Sequence, residues 1–143
     1  MEEEDIEKYI TALEFSVSPD NSLRKEAETY IIDSMEKPHF VVAMLQIASN
    51  PEYNKDRKID VTQAASIQLK NMAESHWRYK DDDFTKEIRE DGGRAIVISD
   101  EDKKYIRDNI LVVYINVHSE TVARQIGIWL KNIYLFASVF LSS

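Results

Sequence analysis

Val61-Thr-Gln-Ala-Ala-Ser-Ile-Gln-Leu-Lys-Asn-Met72 returns 61 residues later as Val122-Ala-Arg-Gln-Ile-Gly-Ile-Trp-Leu-Lys-Asn-Ile133. Val, Ile, Leu-Lys-Asn and a closing large apolar residue keep their places, and Ser66 and Gly127 are both small. In each copy the apolar residues recur every three or four positions, which gathers them on one face of an α-helix. Leu23, Ala27 and Ile31 match Val61, Ala65 and Leu69 at an offset of 38. A period near 40 is the length of one helical hairpin in a stacked array. The larger offset exceeds it by about 20 residues, which an insertion between two hairpins would supply.

Outward from those stretches, the same periodicity defines six helices. The first carries Ile6, Tyr9, Ile10, Leu13 and Val17. Ser18-Pro19-Asp20 breaks it, because Pro19 disfavours helical dihedrals at Ser18 and Asp20 is suited to cap the next helix. The second runs over about 21–35, with Leu23, Ala27, Tyr30, Ile31 and Met35 on one stripe. Pro38 suits the first turn of a third helix, whose body from Phe40 to Ala48 is apolar nearly all round and is expected between neighbours. Asn50-Pro51 ends it, and a charged linker leads to Asp60. Asp60 with Gln63 resembles a capping box and opens a fourth helix through about His76.

Residues 79–98 hold Asp81-Asp82-Asp83 and the only Gly pair, Gly92-Gly93, and read as a long polar loop. Ser99 with Asp102 is another capping pattern, opening a helix with Ile106, Ile110, Val113, Tyr114 and Val117. Ser119 caps the last, which carries Val122, Ile126, Trp129, Leu130 and Ile133. The expected fold is all-α, a right-handed solenoid of three HEAT-like hairpins at about 4–36, 38–77 and 99–141, with the insertion 79–98 before the third. An irregular bundle is the other arrangement that such helices permit.

Composition narrows the function. The 143 residues include 18 basic and 26 acidic side chains, a formal charge of −8, which argues against a duplex-DNA binder. No Cys is present, so disulfides, thiolate metal sites and Cys nucleophiles are absent. The most apolar stretch, from Val122 to Leu141, holds Arg124, Gln125, Lys131 and Asn132, which disfavours a membrane span. His39, His76 and His118 share no metal-ligand spacing and are expected to cap, pack or face water. No phosphate-binding glycine loop and no nucleophile elbow occurs, and the aspartate run lacks the interleaving of a calcium loop. No enzymatic activity, cofactor or metal is expected.

Within the repeated helix, Gln68, Lys70, Asn71 and Ser75 fall off the apolar stripe, and Lys131 and Asn132 occupy the matching places of Lys70 and Asn71. Two readings of the asparagines stand, a buried hydrogen bond that ties repeats together or a contact with a partner. The lysines favour the second reading, because solenoids bind partners on the surface lined by successive equivalent helices. Trp77 and Trp129 are expected to pack in or between repeats.

The order of these residues resembles a known family. Ser18-Pro19-Asp20 followed by Leu23-Arg-Lys-Glu-Ala-Glu28, then Leu45-Gln-Ile47, Gln63-Ala-Ala65, Gln68-Leu-Lys-Asn-Met72 and His76-Trp77, is similar to the amino terminus of the importin-β (karyopherin-β) superfamily. Ile98-Ser-Asp-Glu-Asp-Lys103 and Ile106-Arg-Asp-Asn-Ile110 look closest to its importin-seven/eight type. The resemblance implies a carrier of about twenty HEAT repeats that shuttles between nucleus and cytoplasm, of which this chain would be either a fragment or a form with an altered terminus. It also implies that the amino-terminal repeats bind the GTPase Ran in its GTP form, while cargo and nucleoporins use later repeats. By that resemblance Lys70 and Asn71 contact Ran, with Gln68, Ser75, Arg24 and Glu28 beside them. Arg124 and Lys131 join the set through the internal repeat. The apolar run from Tyr134 to Leu141 leaves a helix face open to self-association.

Overall fold

The computed structural model describes residues 3–76, 98–117 and 119–142, with side chains described for 3–72, 98–117 and 119–131. Among the described residues there are six α-helices and no strand: α1 Glu3–Phe15, α2 Asn21–Ser34, α3 Phe40–Ala48, α4 Val61–His76, α5 Asp100–Asn116 and α6 Glu120–Ser142. A 3-10 turn, Pro51–Asn54, lies between α3 and α4. The polar insertion expected at 79–98 lies outside the described residues except for Ile98, as do Trp77 and His118. Ile98 itself is 3% exposed and belongs to the core, so the polar segment stops before it.

Four helices start where the sequence places a cap. Asp20 Oδ1 accepts from the N–H groups of Ser22 at 2.9 Å and Leu23 at 3.1 Å. Asp60 Oδ1 accepts from Gln63 N at 2.9 Å. Ser99 Oγ accepts from Asp102 N at 3.1 Å, and Ser119 Oγ from Val122 N at 3.3 Å. Each satisfies a donor that the first helical turn would otherwise leave free, a contribution of about 1 kcal/mol. The third helix departs from expectation. Pro38 is not in its first turn; α3 opens at Phe40, and His39 precedes it in the left-handed region at φ 69°. The side chain of Asp102 holds His39 there, accepting from its backbone N–H at 2.8 Å and bonding its ring Nδ1 at 2.7 Å.

The core forms around α3, in which every residue but Gln46 is buried. α3 packs against α4 within its hairpin and against α5 of the next, while α4 packs against α6. The second and third hairpins therefore stack first helix on first and second on second. Trp129 of α6 is fully buried, as the packing role expected of it requires. Tyr9 of α1 meets Phe40 edge-on with centroids 5.5 Å apart and Tyr30 of α2 at 6.2 Å, so one ring joins three helices.

The first hairpin is offset from this pattern. α2 packs on α1, and α1 rather than α2 makes the substantial contacts with α3 and α4. The alignment of Leu23, Ala27 and Ile31 with the buried set of α4 holds for Ala27 and Ile31, but Leu23 is 40% exposed. With its one substantial neighbour on one side, α2 can bury only a narrow stripe. Val17 and Tyr114, expected on apolar faces, are also exposed. Among the described residues no helix is long and apolar enough to cross a membrane.

Candidate protein-binding site

The second helices of the two stacked hairpins carry the residues of interest. α4 is wedged between α3 and α6, so little of it reaches solvent. Val61, Ala65, Leu69 and Met72 are buried on its core face. At 100° per residue, Asn71 lies between Gln68 and Lys70 around the helix. Asn71 is exposed, and Gln68 and Lys70 are half-buried. The exposure of Asn71 sets aside the reading of it as a buried tie between repeats. The side chain of Ser75, and that of Asn132, lie outside those described.

On α6, Arg124 and Lys131 are seven residues apart, on one face, and both are exposed. Arg124 lies 3.9 Å from Glu120 in an exposed i,i+4 pair, which contributes no more than about 0.5 kcal/mol and leaves the guanidinium open to a stronger partner. Over 61–72 and 119–131 there are three basic side chains, Lys70, Arg124 and Lys131, and one acidic, Glu120. With Glu74, α4 and α6 together carry three basic and two acidic side chains, a near balance in a chain of net charge −8, and Lys70, Arg124 and Lys131 are the groups that an acidic partner surface would meet.

The remaining candidates are not brought to this place. Arg24 and Glu28 stand on α2, which packs on α1. Arg24 serves its own turn: Nη1 donates to Ser18 O at 3.3 Å, and Nη2 donates to Asn21 Oδ1. Its guanidinium closes the break between α1 and α2.

Several structurally important polar groups escape any local reading. Asp102 and His39 are separated by 63 positions, so neither spacing nor periodicity connects them. Asn54, within the charged linker, caps α4 a second time, its Oδ1 accepting from Val61 N at 2.7 Å. Arg57 fastens the same linker to α1 through Glu14 and through Glu7 at 3.5 Å, and donates to Tyr53 O at 2.8 Å. Burial alone would push the Asp60 carboxyl up, but hydrogen bonds from Thr62, Gln63 and Asn54 hold it below its ordinary value. Burial pushes the Tyr9 phenol up, with Tyr30 adding to the effect. Among the described residues no group of three His, Cys, Asp or Glu side chains is placed to hold a metal.

The arrangement is one of stacked hairpins with a continuous pair of second helices, and residues 27–116 match the family described as importin-beta N-terminal domain. The chain belongs to that family. No curated protein sequence matches it. The matched span of this importin-beta N-terminal domain runs from Ala27 in α2 to Asn116 at the end of α5. It contains Glu28, Gln68, Lys70, Asn71 and Ser75, and leaves Arg24, Arg124 and Lys131 outside. The family resemblance read from the sequence is therefore correct at the level of the superfamily.

Proposed function

We propose that this chain is the Ran-GTP-binding amino-terminal part of a nuclear transport receptor, an importin of the seven/eight type that mediates protein import. Membership of the importin-beta N-terminal domain family carries the reading. The basic side chains Lys70 of α4 and Arg124 and Lys131 of α6 support it. Lys70 and Asn71 form the centre of the contact, with Gln68 and Ser75 beside them on α4 and Arg124 and Lys131 extending it along α6. Arg24 and Glu28 take part only at the periphery, because α2 is displaced from α4. The chain supplies no catalysis and needs no cofactor. It senses the nucleotide through the shape of an ordered switch, since a surface that fits only the GTP form discriminates by complementarity alone.

In this reading the helical repeats at about 4–36, 38–77 and 99–141 are the beginning of a longer solenoid whose later repeats hold cargo and nucleoporins. The receptor then shuttles between nucleus and cytoplasm. Calorimetric titration of the chain with Ran carrying a non-hydrolysable GTP analogue, and then GDP, tests the proposal. Binding confined to the GTP form is expected. Equal binding to both forms would instead make the chain a scaffold indifferent to nucleotide. Silence with the GTP form, repeated with a chain extended by several repeats, would remove Ran as the partner.

A further inference from the structure

The displaced first hairpin leaves an open groove between α1 and α2 of about 620 Å³. Ala12, Phe15, Leu23, Ala27 and Tyr30 form its apolar lining. Ala12 and Ala27 are each only 6% exposed, while Phe15 and Leu23, at 41% and 40% exposure, stand at the end near the turn and half-buried Tyr30 toward the other end. Small residues at the floor with larger ones toward both ends make a trough rather than a flat face. Its rim carries Glu4, Glu7 and Glu26; Lys8 pairs with Glu4 at 3.7 Å and Arg57 with Glu7 at 3.5 Å, but both carboxylates are more than half exposed, so these pairs are weak enough for a closer partner to displace. The rim belongs to a wider imbalance. Residues 3–34 hold nine carboxylates and three basic side chains, a balance of −6 in a chain whose total is −8.

We propose that this groove binds a basic amphipathic helix of another protein. From Glu4 to Phe15 it follows about 16 Å of α1, the length of three helical turns. A segment of that length laid along the trough would become the third member of a helical layer, with apolar residues at i, i+3, i+4 and i+7 seated over Ala12 and Ala27. Its Lys and Arg side chains would then lie against the glutamate rim. The charge selects the partner: an acidic amphipathic helix of the same shape would meet the −6 of the first hairpin and be repelled. The groove is lined by α1 and α2 and not by α4 or α6, so it does not depend on the Ran reading.

The test uses the whole chain and two synthetic 14-residue peptides with leucines at helical spacing, one filled with Lys and the other with Glu. Calorimetry should show the Lys peptide binding at least tenfold tighter than the Glu peptide. Leu23→Asp removes an exposed apolar wall while adding negative charge, so a fivefold or greater loss would isolate the apolar contact from general attraction. Glu26→Lys should weaken the same peptide about threefold or more. Circular dichroism of both variants should match the parent, since both positions are exposed. Equal affinity for the two peptides, or undiminished binding by both variants, would overturn the proposal. So would sedimentation showing that the chain dimerises and that Leu23→Asp abolishes the dimer, because a second copy would then be the occupant.

Discussion

Replacing Asp102 by Ala removes the bond that fastens the third hairpin to the second at their first helices. The Asp102 side chain is 6% exposed and accepts from both the His39 backbone N–H and ring Nδ1. The two bonds differ in weight. The His39 ring is 47% exposed, so solvent screens its pairing to about 0–1 kcal/mol. The backbone N–H donates to a buried carboxylate, a bond of about 1.5–3 kcal/mol, and losing its acceptor leaves it unsatisfied at the start of α3. Asp102→Ala should therefore cost about 2–4 kcal/mol. With a urea slope of about 2 kcal/mol/M, the midpoint followed by circular dichroism should fall by about 1–2 M. Asp102→Asn keeps an acceptor without the charge and should cost about 1–2 kcal/mol. His39→Asn drops the ring yet tolerates positive φ, and should cost about 1 kcal/mol or less. A midpoint for Asp102→Ala within about 0.3 M of the parent would refute the reasoning. Equal losses in Asp102→Ala and His39→Asn would place the energy in the ring rather than the backbone.

Lys70→Glu should weaken binding of Ran in its GTP form by about 1–3 kcal/mol in calorimetry, with helicity unchanged; equal binding would move the contact away from α4. Asp60→Ala should destabilise by about 1 kcal/mol at pH 7 through loss of the α4 cap. Because the folded Asp60 carboxyl is held below its ordinary value, its contribution is present above that ordinary value and fades as pH falls through the folded one. Denaturation midpoints of parent and variant should accordingly converge in acid, and a gap that persists there would contradict the carboxylate as the cause. Gly127→Ala should stabilise by about 0.4–1 kcal/mol, since a Cβ there would stand 3.8 Å from the Tyr114 ring and meet only ordinary contact. A lower melting temperature would mean that α6 requires a glycine at this crossing.

The two copies of Leu-Lys-Asn, the helical periodicity and four caps were legible in the sequence because each depends on residues within a few positions of one another. Asp20, Asp60, Ser99 and Ser119 all reach an N–H two or three residues ahead. The family was legible for the same reason, as an ordered series of local patterns. Of the candidate site, the sequence set Lys70 and Asn71 off the apolar stripe but left two readings of Asn71, and its exposure in the fold decided between them. It gave no sign that Arg24 is occupied by its own turn.

What the sequence alone determined is the set of six helices, the starts of four of them and most of their buried faces, since hydrophobic period and capping are properties of short stretches. Only the tertiary structure decided that α1 rather than α2 makes the substantial contact with α4, that Leu23 stays exposed, and that a groove opens between the first two helices. It alone joined His39 to Asp102 across 63 positions. Those features arise from which faces meet, and a helix whose apolar stripe can dock in more than one register does not write its neighbour into its own residues.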